Sequence, residues 1–260
     1  MSDAEFIDPY VDAETGVLHN LVGARTQAEL DRAEFDLVHV AEMILLESPP
    51  GHTRTIAEWR AIHRALFGSV YSWAGELRTV NIAKASAGIG FDFVATSFFQ
   101  NAISFVEAEI QEAFSVSALD RDEFTVRLAE QYSNLNVLHP FREGNGRTQR
   151  FFWNQVALAF GYELDWLSVT AEQNAEASAV AAVEMNYEPL VSMFRQVVVN
   201  AEPGRTLFTR VSWHGFKARP IVQLTLTNSA LCGFFMPRAK KPCILAPGHN
   251  GHHRSRLRTT

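Results

Sequence analysis

Apolar residues recur along residues 26–200 at the three- and four-residue spacing of amphipathic helices. Thr26 followed by Glu29 fits a capping box ahead of AELDRAEFDLVHVAEMILLE, and Pro49-Pro50-Gly51 closes that segment. Thr55 with Glu58 opens a second helix, IAEWRAIHRALF, ended by Gly68. A third runs from Thr96 to about Phe114 and puts Phe99, Ile103, Val106 and Ile110 at helical spacing. Asp122 starts a fourth, which continues through FTVRLAEQYSNLNVL towards His139. Residues 148–160 read as a buried helix, because FFWNQVALAF is apolar on most faces, with Gly161 as its stop. Thr170 with Gln173 opens the next, and EPLVSMFRQVVV is the last.

Two segments break this rhythm. ELRTVNIAKASAGIGFDF, residues 76–93, has a β-branched stretch, then small residues and two glycines, then aromatics, the pattern of a short hairpin or flap. Near the C-terminus IVQLTLT (221–227) alternates like a strand, and GHNGHHRSRLRTT has the composition of unfolded chain. No internal repeat is present. The pattern predicts an all-α helical bundle with one short β-hairpin.

Charge divides the chain further. Residues 203–260 hold ten of its 23 Lys and Arg side chains and none of its 29 acids. That change predicts a boundary near Glu202-Pro203-Gly204, with a main domain over 1–202 and a basic extension over 203–260, small and β-rich or disordered. The acidic main domain would repel a phosphate backbone, which argues against direct nucleic-acid binding by it. No apolar run reaches the ~18 residues of a membrane span, and the start, MSDAEFIDPY, is acidic where a signal peptide is basic. Cys232 and Cys243 lack metal-ligand spacing. The expectation is a cytoplasmic protein without a membrane partner.

The most informative stretch is LHPFREGNGRTQR, residues 138–150, a turn between two predicted helices. His139 precedes Pro140, which cannot continue a helix, and a neutral imidazole there can take a proton from a hydroxyl. Phe141 is apolar among polar neighbours and reads as an anchor. Glu143 is a hard oxygen donor suited to Mg²⁺ held mainly by phosphates and water. Gly144-Asn145-Gly146 permits positive φ, so successive N–H groups can form an anion cradle at the start of a helix. Arg147 and Arg150, three apart, carry guanidinium forks that match phosphate oxygens. Together these parts describe a site for a nucleoside triphosphate, Mg²⁺ and a base. No P-loop motif and no kinase HRD or DFG set is present.

HPFREGNGRTQR resembles the signature of the Fic family, His-x-Phe-x-(Asp/Glu)-Gly-Asn-Gly-Arg-x-x-Arg, at every specified position. SVYSWAGELRTVNIAK (69–84) resembles the family's helix end and flap, and DPYVDAETGVLHNLVG (8–23) the N-terminus of VbhT-type Fic toxins. The resemblance implies transfer of AMP from ATP to a Ser, Thr or Tyr hydroxyl of a target protein. By position it makes His139 the general base and Glu143 the Mg²⁺ ligand. Gly144, Asn145 and Gly146 become the phosphate cradle, while Arg147 and Arg150 hold the β/γ end. The flap, about Leu77 to Phe91, would dock the target as an added strand, with Thr79, Val80, Asn81 and Ile82 as the docking residues. In the related Doc kinases a lysine replaces the second glycine, so Gly146 favours AMP transfer. The family's inhibitory (Ser/Thr)-x-x-x-Glu-(Gly/Asn) motif does not occur in the chain. The resemblance thus implies a toxin restrained by a separate small antitoxin bearing that helix, with type II topoisomerases among the targets related toxins modify. A catalytically silent Fic-type binding protein, or transfer of another nucleotide or of phosphate, are the alternatives.

Overall fold

The predicted capping box at Thr26 is made: its hydroxyl accepts from Glu29 N at 3.3 Å and the Glu29 carboxylate accepts from Thr26 N at 3.0 Å. It starts α1 (Gln27–Glu47), whose buried stripe is Leu30, Glu34, Val38, Glu42 and Leu45. Two carboxylates thus sit in an otherwise apolar seam, and buried acids require partners. The computed structural model of the chain describes residues 8–86 and 89–201. The readings of the tail, namely the strand at 221–227, the unfolded C-terminus and the extension beginning at 203, lie outside those residues.

α2 (Ile56–Phe67) starts where predicted, but neither bond of its capping box is made. Glu58 reaches back to Arg54 N at 2.7 Å, whereas the Thr55 hydroxyl pairs with that of Thr53. Glu107 instead accepts from Ile56 N at 2.7 Å. Gly68 caps the helix without a left-handed turn: its φ is −61°, and a Cβ there would lie 2.7 Å from the Arg64 carbonyl oxygen, so the position takes glycine for space.

The hairpin is narrower than the segment that predicted it. β1 (Ala83–Ser86) pairs antiparallel with β2 (Ile89–Asp92), Ala83 opposite Asp92 and Ser86 opposite Ile89. A single 3₁₀ turn, Thr96–Phe98, leads into α3 (Phe99–Ala113), which buries Phe99, Ala102, Val106 and Ile110. Ile103 is only partly buried.

The central element is α4 (Arg121–Leu138). Asp120, not Asp122, caps it, accepting from Glu123 N at 2.9 Å. It buries Phe124, Leu128, Tyr132 and Leu135 and packs against α3, α5 (Asn145–Ala159), α6 (Ala171–Glu184) and α7 (Glu188–Val197). α1 lies on α2 and α2 on α5, which completes the bundle around Trp59, Phe141, Phe152 and Trp153. The capping box at Thr170 and Gln173 is made.

One pairing was not predicted. β3 (Tyr162–Leu164) runs antiparallel to β4 (Val198–Asn200), so the last helix stops at Val197 and its valine run becomes a strand. Three-residue strands carry too little alternation to read; this one is set by the tertiary bonds Asp165 N to Val197 O and Ala201 N to Gly161 O.

Candidate active site

α4 ends at Leu138 and α5 begins at Asn145, so residues 139–144 form the turn singled out above. The helix starts earlier than its apolar pattern suggested, because Asn145 closes the turn from inside. Its Oδ1 accepts from Phe141 N at 2.9 Å and its Nδ2 donates to Phe141 O at 2.7 Å. The Asn145 side chain therefore shapes the cradle rather than lining it. Phe141 is fully buried, as an anchor should be.

His139 caps α4 in the left-handed region, φ 42° and ψ 61°, an unusual conformation for a non-glycine residue. Its ring stacks on Phe93 at 3.7 Å between centroids and 14° between planes. Nδ1 lies 3.2 Å from the Asn136 carbonyl oxygen. Carbonyls only accept, so Nδ1 carries the hydrogen and Nε2 the lone pair.

Arg78, which sequence reasoning passed over, fixes this backbone. Its Nε donates to His139 O at 2.8 Å, and its two terminal nitrogens to Val80 O and Val94 O at 2.5 Å. Its own N–H donates to Pro140 O at 2.8 Å. Burial pushes the guanidinium down, to about 10, so it stays protonated at neutral pH. One buried arginine thereby ties the base of the flap to the turn at His139 and Pro140.

His63, also missed, holds the other end. Gly75 N donates to its Nδ1 at 2.7 Å, which places the ring hydrogen on Nε2, and Nε2 donates to the Glu143 carbonyl at 2.9 Å. The imidazole stacks on Phe141 at 3.9 Å and on Phe67 at 4.8 Å. Burial drives its pKa from 6.5 down to about 3, so it stays neutral. The signal was a histidine on the buried stripe Trp59, Ile62, His63, Leu66, Phe67.

The two glycines of the cradle differ. Gly144 has φ 81°, and a Cβ there would meet the Phe67 ring at 2.5 Å and His63 Nε2 at 3.0 Å. The fold demands that glycine. Gly146 is helical, and a Cβ would meet only Arg150 Nη1, at an ordinary 3.5 Å. The space beside Gly146 leads to that guanidinium and to the first-turn N–H groups of α5, which have no intrahelical carbonyl. Burial pushes Arg150 down to about 9, with Tyr132 and Glu42 of α1 opposing the shift and Arg147 adding to it.

Glu143 accepts from Gly144 N at 2.9 Å, and its Oε1 lies 3.6 Å from Arg147 Nη2. Burial, then the Glu34 charge, raises its pKa against the pull of Arg147. Among the described residues no three His, Cys, Asp or Glu side chains gather around a possible metal position. The single hard donor Glu143 therefore fits a Mg²⁺ held mainly by phosphate and water, not a protein-caged ion. Arg147 does not share a site with Arg150 alone: it pairs with Glu34, whose second oxygen accepts from Tyr71 OH, and its guanidinium lies 4.6 Å from the Phe67 ring centre.

The four flap residues precede the hairpin. Val80 and Ile82 are buried in a small apolar cluster with Tyr10 and Phe93. Thr79 is exposed, and its N–H donates to Tyr10 OH at 3.1 Å. Asn81 Oδ1 accepts from Thr96 N at 2.9 Å. The N-terminal segment that supplies Tyr10 also reaches the motif, because Asp8 Oδ2 accepts from Arg142 Nε and Nη2 at 3.0 and 2.9 Å.

Similarity to known proteins covers the segment that holds this turn. Residues 54–157 match the Fic/DOC family. Protein adenylyltransferase VbhT of Bartonella schoenbuchensis is 36% identical over 171 residues, 66% of this chain and 35% of that protein, so the chain spans about a third of its length. The Escherichia coli "Probable protein adenylyltransferase Fic" is 29% identical over 200 residues, 74% of this chain and 97% of that one. The solved N-terminal Fic domain of a VirB-translocated Bep effector protein of Bartonella quintana, with bound ADP, superposes with a TM-score of 0.68 at 27% identity, covering 74% of this chain and 95% of that one. No helix among the described residues is long and apolar enough to cross a membrane. On its motif, its fold and these relatives, residues 54–157 of the chain carry a Fic/DOC domain.

Proposed function

We propose that this chain is a Mg²⁺- and ATP-dependent protein adenylyltransferase. The carrying observation is the tautomer of His139, in the turn that precedes the cradle: its Nδ1 is bonded to a carbonyl, so the lone pair is on Nε2. A target Ser, Thr or Tyr hydroxyl oxygen attacks the α-phosphorus of ATP and gives its proton to Nε2. The bond from that phosphorus to the α–β bridging oxygen breaks, and pyrophosphate leaves with the electron pair. The cradle of Gly144 and Gly146, the N-terminus of α5 and Arg150 bind the phosphates and favour the charge that grows on the leaving group. Glu143 would hold Mg²⁺, which when bound neutralises phosphate oxygens. Phe141, Asn145, His63 and Arg78 keep these groups in one geometry before substrate arrives.

The target docks along Thr79–Ile82 through main-chain bonds, consistent with the inward-facing side chains of Val80 and Ile82. The chain acts as a toxin in the cytoplasm. A small antitoxin restrains it through the carboxylate of its inhibitory helix, which pairs with Arg150 and blocks the γ-phosphate position. A type II topoisomerase is the first target to try. The test incubates the chain with lysate and α-³²P- or γ-³²P-ATP. The expected result is protein label from the α-labelled nucleotide alone, lost by about 10²–10⁴ in rate on His139→Ala. Label from the γ-position would make it a kinase, and no label on any protein would make it a binding protein.

A further inference from the structure

The two motif arginines face different surroundings. Arg147 lies between two carboxylates, in contact with Glu34 Oε1 and 3.6 Å from Glu143 Oε1. Both oxygens of Glu34 are engaged, one by Arg147 and one by the Tyr71 hydroxyl, and its side chain is 12% exposed. Glu34 comes from α1, outside the matched family segment at 54–157. A buried carboxylate with both oxygens bound cannot easily turn away, so it fixes which side of the gap the guanidinium occupies. Among the described residues the other contact of Arg147 is the Phe67 face, which restrains its plane, not its position between the acids.

We infer that Glu34 is a positioning residue that holds Arg147 off Glu143 and so keeps the Glu143 carboxylate open to Mg²⁺. This rests on the reading of Glu143 as the metal ligand. Arg147 then serves as a strut beside the metal site, and the triphosphate falls chiefly to Arg150 and the α5 N-terminus. Without the charge of Glu34, Arg147 would close on Glu143 and compete with the cation for the same oxygens.

The test measures divalent metal binding, not turnover. The full chain, in excess over a non-hydrolysable ATP analogue, is titrated with Mn²⁺ as a paramagnetic stand-in for Mg²⁺, and bound metal is read by EPR. Glu34→Gln is expected to weaken Mn²⁺ by about tenfold, the worth of one partly buried ion pair. Arg147→Gln alone should change it by less than about threefold, yet in the Glu34→Gln background it should restore most of the lost affinity. Additive effects of the two substitutions would overturn the inference, since Glu34 would then act only through its field. Tyr71→Phe, which frees one Glu34 oxygen, should move affinity the same way by a smaller factor, and serves if Glu34→Gln fails to fold. Glu143→Gln is the reference. If it leaves Mn²⁺ binding intact, the metal-ligand reading fails and this inference with it. If it weakens binding while Glu34→Gln does not, only the inference fails.

Discussion

His63 should make the chain lose stability as pH falls from 7 to 5, above the range of an ordinary carboxylate. Its imidazole is fully buried between Phe141 and Phe67, and its Nδ1 already accepts from Gly75 N. Protonation would require that N–H to give way and would bury a cation beside Arg147. Folded, its pKa is about 3; unfolded, it returns to the ordinary 6.5. Between those values the unfolded chain binds the extra proton, so stability rises with pH across the window, is complete above 6.5 and falls as pH drops towards 3. From pH 7 to pH 5 the change amounts to about 1.4 pH units of differential binding, or about 2 kcal/mol. Urea unfolding followed by tryptophan fluorescence at pH 7 and pH 5 measures it against His63→Gln, whose amide keeps a donor for the Glu143 carbonyl. The wild-type chain should lose about 2 kcal/mol more than the variant over that interval. Equal losses would refute the reasoning. So would a His63 ring resonance that titrates between pH 7 and 5 in the folded wild type, a readout that does not need the variant to fold.

The two glycines of the cradle should separate stability from activity. Gly144→Ala combines a left-handed φ with a 2.5 Å clash against Phe67 and should cost about 2–4 kcal/mol in chemical denaturation. Gly146→Ala should leave stability within about 1 kcal/mol or raise it, while AMP transfer falls because the methyl narrows the approach to Arg150. Asp8→Ala leaves the nearly buried Arg142 guanidinium without its carboxylate and should lower stability by up to about 3 kcal/mol, seen as a shifted unfolding midpoint; an unchanged midpoint would show that Arg142 turns to solvent.

Much of the fold was legible because its helices announce themselves twice, once by spacing and once by caps. Thr26 with Glu29 and Thr170 with Gln173 both form the predicted boxes. Thr55 with Glu58 shows the limit: neither box bond forms, and a carboxylate from α3 satisfies Ile56 N, a contact that only tertiary packing brings about. The turn from His139 to Arg150 was readable as a site because its residue types are costly together and cheap apart. What holds that turn was not readable as such. His63, Arg78, Glu34 and Asp8 lie far from it in sequence, and each acts through a backbone atom or an ion pair that no local pattern records. Glu34 and His63 nevertheless left a trace, as polar residues on stripes that are otherwise apolar.

The unequal glycines bear on how such a site can change over generations. Position 144 is locked by ring packing, so a mutation there is removed by its effect on folding before its effect on chemistry can matter. Position 146 touches nothing that the fold needs. A lineage can therefore try other side chains there, altering how the phosphates of the nucleotide are received, without first acquiring a compensating change elsewhere in the bundle. The chemistry of this turn is evolvable at one residue because the neighbouring residues carry the structural burden.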